Sequence, residues 1–377
     1  MGKVRPDDEG FTRAFATYVP SRGPATARAE TQAALTGTLH PLIDPAGFGG
    51  VRQSLMRFEQ RPDDLQTVSV GTPVPDETRV DTTGSMGGNV DIALQELSKL
   101  YGLVSKMLPG CDLQVSIGIF GDVYSDRWPL GRPQFEMTAE KLVEQLTRLV
   151  PERQGGDFPE DPHYGLFGAA YLTSAYINRI GQKRYDFTVS DAPARDSLDP
   201  HYIRAIFGPE VYERVKANGH QIPEEELDTA DVVRDLLKDT HAYFLQVGEE
   251  RSTTRFWSKL LGPERVVVLP KVHLLPQVQA SIVGLTEGTL DLDSLSSFLH
   301  DNKVSKSDAE AIRRSVVNIP IGAQAALPNF DRRPQKGDVF HKKTDLWPMD
   351  PSEVPALPDI EVGDEDGPIW GAEDGQI

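Results

Sequence analysis

The chain has 377 residues, 38% hydrophobic and 25% charged, enough for one large α/β domain with extensions or for two modest domains. Its formal net charge of −18 excludes general nucleic-acid binding, which needs a basic face to displace counterions, and suits cations or basic protein partners. No apolar run reaches the roughly 18 residues needed to span a membrane. Met1–Gly10 lacks the apolar core of a secretory signal, and the lone Cys111 excludes an internal disulfide and points to a reducing, cytoplasmic setting.

Residues 1–65 mix Gly, Pro, Thr and Arg with little periodicity and are expected to form an irregular N-terminal arm. The domain proper is placed at 66–285. Its first loop is preceded by Pro75-Asp76-Glu77-Thr78-Arg79-Val80, where only Val80 is clearly apolar, so the first strand is expected to be short or displaced. Val90, Leu94, Leu97, Tyr101, Val104 and Leu108 recur at helical spacing, and Pro109-Gly110 ends that helix. Leu113, Val115, Ile117 and Ile119 alternate as a strand. Thr138 opens a helix that stops at Pro151, and Leu166, Ala170, Tyr171, Ile177 and Ile180 mark a further helical face.

Tyr185, Phe187 and Val189 then alternate as a strand, and 199–226 reads as an insertion before the helix at Val232–Leu237. Strands follow at Ala242–Val247 and Arg265–Leu269. Strands alternating with helices predict an α/β fold, a doubly wound, mostly parallel sheet with helices on both faces. Residues 286–320 form a small helical appendix, where Ser307 and Glu310 read as a capping box. The remainder, 321–377, is a Pro-rich acidic tail: after Lys343 there is no Lys or Arg, while ten acids follow. Its Trp347 and Trp370 suit either docking motifs or packing back onto the domain.

Three segments carry oxygen donors. Asp81-Thr82-Thr83-Gly84-Ser85-Met86 puts one carboxylate and two hydroxyls at alternate positions before the first helix. Gly155-Gly156-Asp157-Phe158-Pro159-Glu160 opens the helix at Pro162, and Val189-Ser190-Asp191-Ala192-Pro193 ends a strand. Ligands of open α/β sheets bind at the carboxyl ends of strands, where these loops would converge. Carboxylates and hydroxyls without imidazole or thiolate suit a hard cation, Mg²⁺ foremost, with Mn²⁺ or Ca²⁺ as alternatives.

These segments resemble the metal-ion-dependent adhesion site (MIDAS) of von Willebrand factor A (vWA) domains. The first matches the D-x-[ST]-x-S loop, and the other two match the later metal loops of one bacterial-type subgroup. The resemblance covers about residues 66–285. It implies a Rossmann-like vWA fold and a metal held by Asp81, Thr83, Ser85, Asp157 and Asp191, some directly and some through water. It also implies a metal-dependent protein–protein interaction in which the partner supplies an acidic residue, with AAA+ ATPase or protein kinase systems as the kind of partner.

The other polar residues have plainer expectations. Asp122 and Asp126 read as solvated loop acids, and Glu160 and Asp161 as charges at a helix N-terminus. His163 reads as a surface or packing residue and Cys111 as a small core residue. Ser85 lacks the frame of a hydrolase nucleophile. The alternative function is Mg²⁺-dependent phosphoryl transfer, phosphatase-like, through Asp81. It is disfavoured because Thr83 stands where the Asp-x-Asp of such enzymes needs a second acid.

Overall fold

The computed structural model describes residues 22–63, 65–155 and 158–339; Asp157, Trp347 and Trp370 lie outside them. The described chain opens with helix α1 (Arg22–Thr36) and a short strand, Arg52–Ser54. Ile43 and Arg52 are buried, and the Arg52 guanidinium donates to the carbonyls of Asp44, Gly47 and Arg132. A buried guanidinium requires such acceptors, so it organises the turns that supply them.

Strand β1 (Pro73–Asp81) leads through a 3-10 turn at Gly84–Met86 into α2 (Asn89–Glu96), whose path continues in short helical turns to Met107. Next come β2 (Asp112–Phe120), β3 (Leu130–Gly131) and α3 (Ala139–Arg148), capped by the Thr138 side chain. Helix α4 (Pro162–Tyr171) does not run on to Ile180 as one face. The carbonyl of Leu172 is taken by Arg132 and by the backbone of Arg52, and Thr173–Ala175 becomes a strand parallel to Arg52–Ser54.

Strand β4 (Arg184–Ser190) is followed by α5 (Pro200–Phe207) and α6 (Val211–Ala217), within the expected insertion, and then by α7 (Thr229–Asp239). Strand β5 (Thr240–Gln246), α8 (Arg251–Leu261), β6 (Val266–Val268) and α9 (Leu275–Glu287) complete the alternation. Helices α10 (Ser294–Asp301) and α11 (Lys306–Ser315) bury Leu295, Leu299 and Ile312 in the same core as α9. The α11 cap is Ser305, not Ser307: its extended backbone lets the hydroxyl accept from the Asp308 amide, two residues earlier than the box required. The described part of the expected tail, up to Val339, is tied to the domain through Arg333, which pairs with Glu287, and Gln324, which bonds His241. Among the described residues no helix is long and apolar enough to cross a membrane.

In space the strands run β3-β2-β1-β4-β5-β6, parallel except for the β2–β3 pair. Helices α2 and α9 cover one face, and α4, α7 and α8 the other. This is the doubly wound α/β arrangement expected. The order reverses between β1 and β4, the place where such sheets open a crevice beyond their strand ends.

Strand β1 is neither short nor displaced. It is central, and all nine of its residues are buried, including Asp76, Glu77 and Arg79. The charges survive burial because distant residues compensate them. Arg79 pairs with Glu77 at 3.1 Å and with Asp186 of β4, and Arg132 holds both Glu77 oxygens at 2.9 and 3.2 Å. Burial alone would raise the Glu77 carboxyl, but Arg132 and Arg79 outweigh it and hold it at about 2. Helix α4 makes room for both guanidinium stems: a Cβ on Gly165 would lie 2.6 Å from Arg79 Cδ, and one on Gly168 3.2 Å from Arg132 Cδ. Glycines three residues apart share a helix face, which is why two fit here.

Two outcomes follow from this strand. Gly165→Ala should cost about 1–3 kcal/mol of unfolding free energy, because Arg79 is locked by its ion pairs and has no space to yield; an unchanged denaturation midpoint would contradict this. Asp76 behaves differently from Glu77. Burial, reinforced by Asp186, pushes its carboxyl up to about 8 from the ordinary 3.8, and its Oδ2 has no hydrogen-bond partner. The folded state therefore keeps a proton that the unfolded chain releases, and wild-type stability declines as pH rises from about 4 to 8. Asp76→Asn removes this dependence, so its melting temperature relative to wild type should climb between pH 5 and pH 8. A constant difference would rule the assignment out.

Candidate functional site

The loops after β1 and β4 meet at the switch point. Asp81 ends β1 wholly buried, and its Oδ1 accepts from the Thr83 amide at 2.8 Å and the Thr83 hydroxyl at 2.7 Å. This turn folds the chain back, so the Thr83 hydroxyl lies 3.3 Å from that of Ser85. Ser85 in turn donates to Asp191 Oδ1 at 2.9 Å. From the other side, the Ser190 hydroxyl donates to Asp81 Oδ2 at 2.5 Å while accepting from the Ala192 amide. Ser190, Asp81 and Thr83 thus form one hydrogen-bonded run and Ser85 with Asp191 another; both hydroxyl protons are spent on carboxylates, so the Thr83 and Ser85 oxygens face one another across 3.3 Å with lone pairs free. Together they lead from the sheet interior to an exposed Ser85 and a half-buried Asp191. Burial raises Asp81 to about 6, even though the bonds from Ser190 and Thr83 favour its charged form.

The structure therefore brings together Asp81, Thr83, Ser85 and Asp191. Asp157 lies outside the described residues, but its loop is placed on both sides. Gly155 has a φ of +93°, and a Cβ there would lie 3.0 Å from the Asp122 Cβ and 3.6 Å from the Thr83 methyl carbon, so only glycine allows this approach.

Glu160, expected as a helix-end charge, points elsewhere. Its backbone bridges to the third loop, donating to Pro193 O and accepting from the Arg195 amide. Its side chain is buried, with Oε2 lacking any hydrogen-bond partner. Burial, with repulsion from Asp81 and Asp122, raises it to about 8 against a weaker opposing bond from Thr83. The available signal was its place as the last residue of the Gly-Gly-Asp-x-Pro-Glu segment.

The expectation for the two acids after β2 is corrected. Asp122 and Asp126 are not solvated. Asp122 is 1% exposed and accepts from the Tyr124 and Ser125 amides, while Asp126 accepts from the Asp122 amide. Their loop is turned inward because these amides need acceptors away from water. Asp161 is buried too. It accepts from the Val123 amide and pairs with Arg195 at 2.9 Å, and Arg195 reaches Asp122 at 3.3 Å. His163 is a packing residue, lowered to about 3 by burial.

Among the described residues no group of three or more His, Cys, Asp or Glu side chains is arranged to hold a metal by itself. An ion here would need the hydroxyls of Thr83 and Ser85 as well as the carboxylates. The donor set is all oxygen. The unpartnered Glu160 oxygen sits among like charges, and the nearby Arg195 is already shared by Asp122 and Asp161. Such a set fits a hard divalent cation.

No known family profile matches the sequence, and no curated protein matches it. Similar solved structures include the pilus adhesin SpaC of Lactobacillus rhamnosus GG, at 12% identity and a TM-score of 0.38 over 63% of this chain and 35% of that one. A von Willebrand factor type A protein of Catenulispora acidiphila is 14% identical, with a TM-score of 0.33 over 62% and 50%. Proximal thread matrix protein 1 of the mussel byssus is 11% identical, with a TM-score of 0.36 over 57% and 48%. The aligned region thus spans a third to a half of the length of these proteins. At these scores the likenesses say nothing about the site, which rests on the contacts above.

If Glu160 faces an ion, Glu160→Gln should weaken Mn²⁺ binding at least threefold without loss of fold, because the amide keeps the shape but removes the charge. Calorimetry giving equal affinity for variant and wild type would remove Glu160 from the site.

Proposed function

We propose that this chain is a protein-interaction module that holds a divalent cation, Mg²⁺ or failing that Mn²⁺ or Ca²⁺, and binds an acidic residue of a partner through it. The observation that carries the reading is the pair of facing Thr83 and Ser85 hydroxyl oxygens, held by Asp81 and Asp191 at the sheet's switch point, with an orphaned Glu160 oxygen beside them. The bound ion would supply a point of positive charge with an exchangeable position for a carboxylate. Asp81 orients the Thr83 hydroxyl and supplies charge from within the sheet. Asp191 holds Ser85 toward solvent, where a partner can reach, and the second loop, through Glu160, closes the far side.

The sequence likeness to vWA adhesion sites supports the same reading, including Asp157, a cytoplasmic setting and partners of the AAA+ ATPase or protein kinase kind. The geometry weighs against Asp81 as the nucleophile of a Mg²⁺-dependent phosphoryl-transfer enzyme. Both of its oxygens already accept hydrogen bonds, and the residue is fully buried.

The expected outcome is a partner captured from the native host in Mg²⁺, released by EDTA and recovered on adding Mg²⁺ or Mn²⁺. Asp191→Ala should abolish capture while melting as a folded protein, and Asp81→Ala should weaken the cation at least tenfold, about 1.4 kcal/mol. Capture that persists in EDTA would overturn the proposal.

A further inference from the structure

Exposed apolar side chains lie in and beside the loops that carry the oxygen donors. Ile92 on α2, Tyr124 after β2 and Phe158 beside Glu160 are 41%, 59% and 60% exposed. Asp91, next to Ile92, pairs with Arg153 of the second loop, and Tyr124 lies under the Arg195 guanidinium of the third loop, 4.6 Å from its ring centre. Tyr202 packs edge-on against Tyr124. A donor set suited to a cation therefore has exposed apolar groups on the elements tied to its loops. A matching ligand has an acid in the middle and apolar residues on both sides.

The sequence contains one. In Ile360-Glu361-Val362-Gly363-Asp364-Glu365-Asp366-Gly367-Pro368-Ile369-Trp370-Gly371 three consecutive acids lie between glycines, with Ile360 and Val362 before them and Ile369 and Trp370 after. No Lys or Arg follows Lys343, so the segment has no base nearby to compete for its acids. We propose that this segment occupies the site of its own chain, with a carboxylate of Asp364, Glu365 or Asp366 on the cation and its apolar flanks on Ile92, Tyr124 and Phe158. The inference rests on the cation reading above and names the first ligand of that site.

The chain's exit makes the reach plausible in length. Val339 bridges to Val68, just before the start of β1, while the site lies at the end of that strand. Nine strand residues span about 30 Å. Val339 and Asp364 are 25 residues apart, and a Pro-rich acidic stretch of that length can reach up to about 78 Å, well beyond that span. A tether long enough to span to its site makes binding intramolecular, at an effective concentration of about a millimolar or below. Without the cation nothing in the site attracts the three acids and the Asp191 carboxylate repels them, so occupancy is gated by the ion. A foreign partner would have to displace the chain's own acids.

The test uses the full chain and a dye-labelled synthetic peptide of residues 360–371. In Mg²⁺ the peptide should bind the variant Asp364→Asn/Glu365→Gln/Asp366→Asn at least tenfold more tightly than wild type, whose site is filled by its own segment. EDTA, or Asp191→Ala added to that variant, should abolish binding. Mg²⁺ calorimetry on both chains separates the two claims. If both bind Mg²⁺ while the peptide binds them equally or not at all, the self-ligand is overturned and the cation site stands. If neither binds Mg²⁺, the cation reading falls and the self-ligand with it.

Discussion

The rest of the structure depends on keeping the charged Glu77 and Arg79 buried in its central strand. Removing ions from water costs several kcal/mol each, and the cost is offset only where geometry supplies counter-charges and hydrogen bonds. Here Arg79 lies between Glu77 and Asp186, Arg132 clamps Glu77 from the β3 side, and α4 contributes glycines where the guanidinium stems pass. Glu77, Arg79 and Asp81 lie on one face of the strand, since side chains alternate. The ion pairs that fix the rotation of β1 therefore fix the direction of Asp81 as well. Breaking one pair leaves a buried charge unpaired, which makes the arrangement specific even where it adds little net stability.

On that fixed base the site is graded. Its inner members, Asp81 and Thr83, are buried and bonded to one another, whereas Ser85 and Asp191 stand at the surface. Around them Arg195 joins Asp122 to Asp161 and so ties the β2–β3 connection to the start of α4 and to the third loop. The three loops are held to each other by side chains that themselves face away from solvent. Such a shell keeps first-contact groups in place without a bound ligand.

Much of the sheet was legible because its strands carry apolar alternation. Tyr185, Phe187 and Val189 mark β4, and Leu113 to Ile119 mark β2. Strand β1 was not, since Asp76, Glu77 and Arg79 read as surface, and their partners Arg132 and Asp186 are remote in sequence. Nothing in the order of residues says that Gly165 and Gly168 face those arginines. The same limit hid Asp122 and Glu160. A carboxylate in a loop is ordinarily solvated, and only the close packing of Gly155 on Asp122 and the bridge from Glu160 to Ala194 turn these acids inward. The spacing of Asp81, Thr83, Ser85 and Asp191 was readable because their contacts stay within two short loops. The cap of α11 slipped from Ser307 to Ser305 because either serine satisfies the pattern and only the backbone angle chooses.

The central claim is that these loops hold a divalent cation between the hydroxyls and the carboxylates. Crystals of the full chain grown with Mn²⁺ and measured at the manganese absorption edge test it most directly. The account predicts an anomalous peak within coordination distance of Ser85 or Thr83 oxygens and bordered by Asp81, Asp191 and Glu160. Ordered loops without a peak there, at Mn²⁺ concentrations well above the millimolar range, would contradict it.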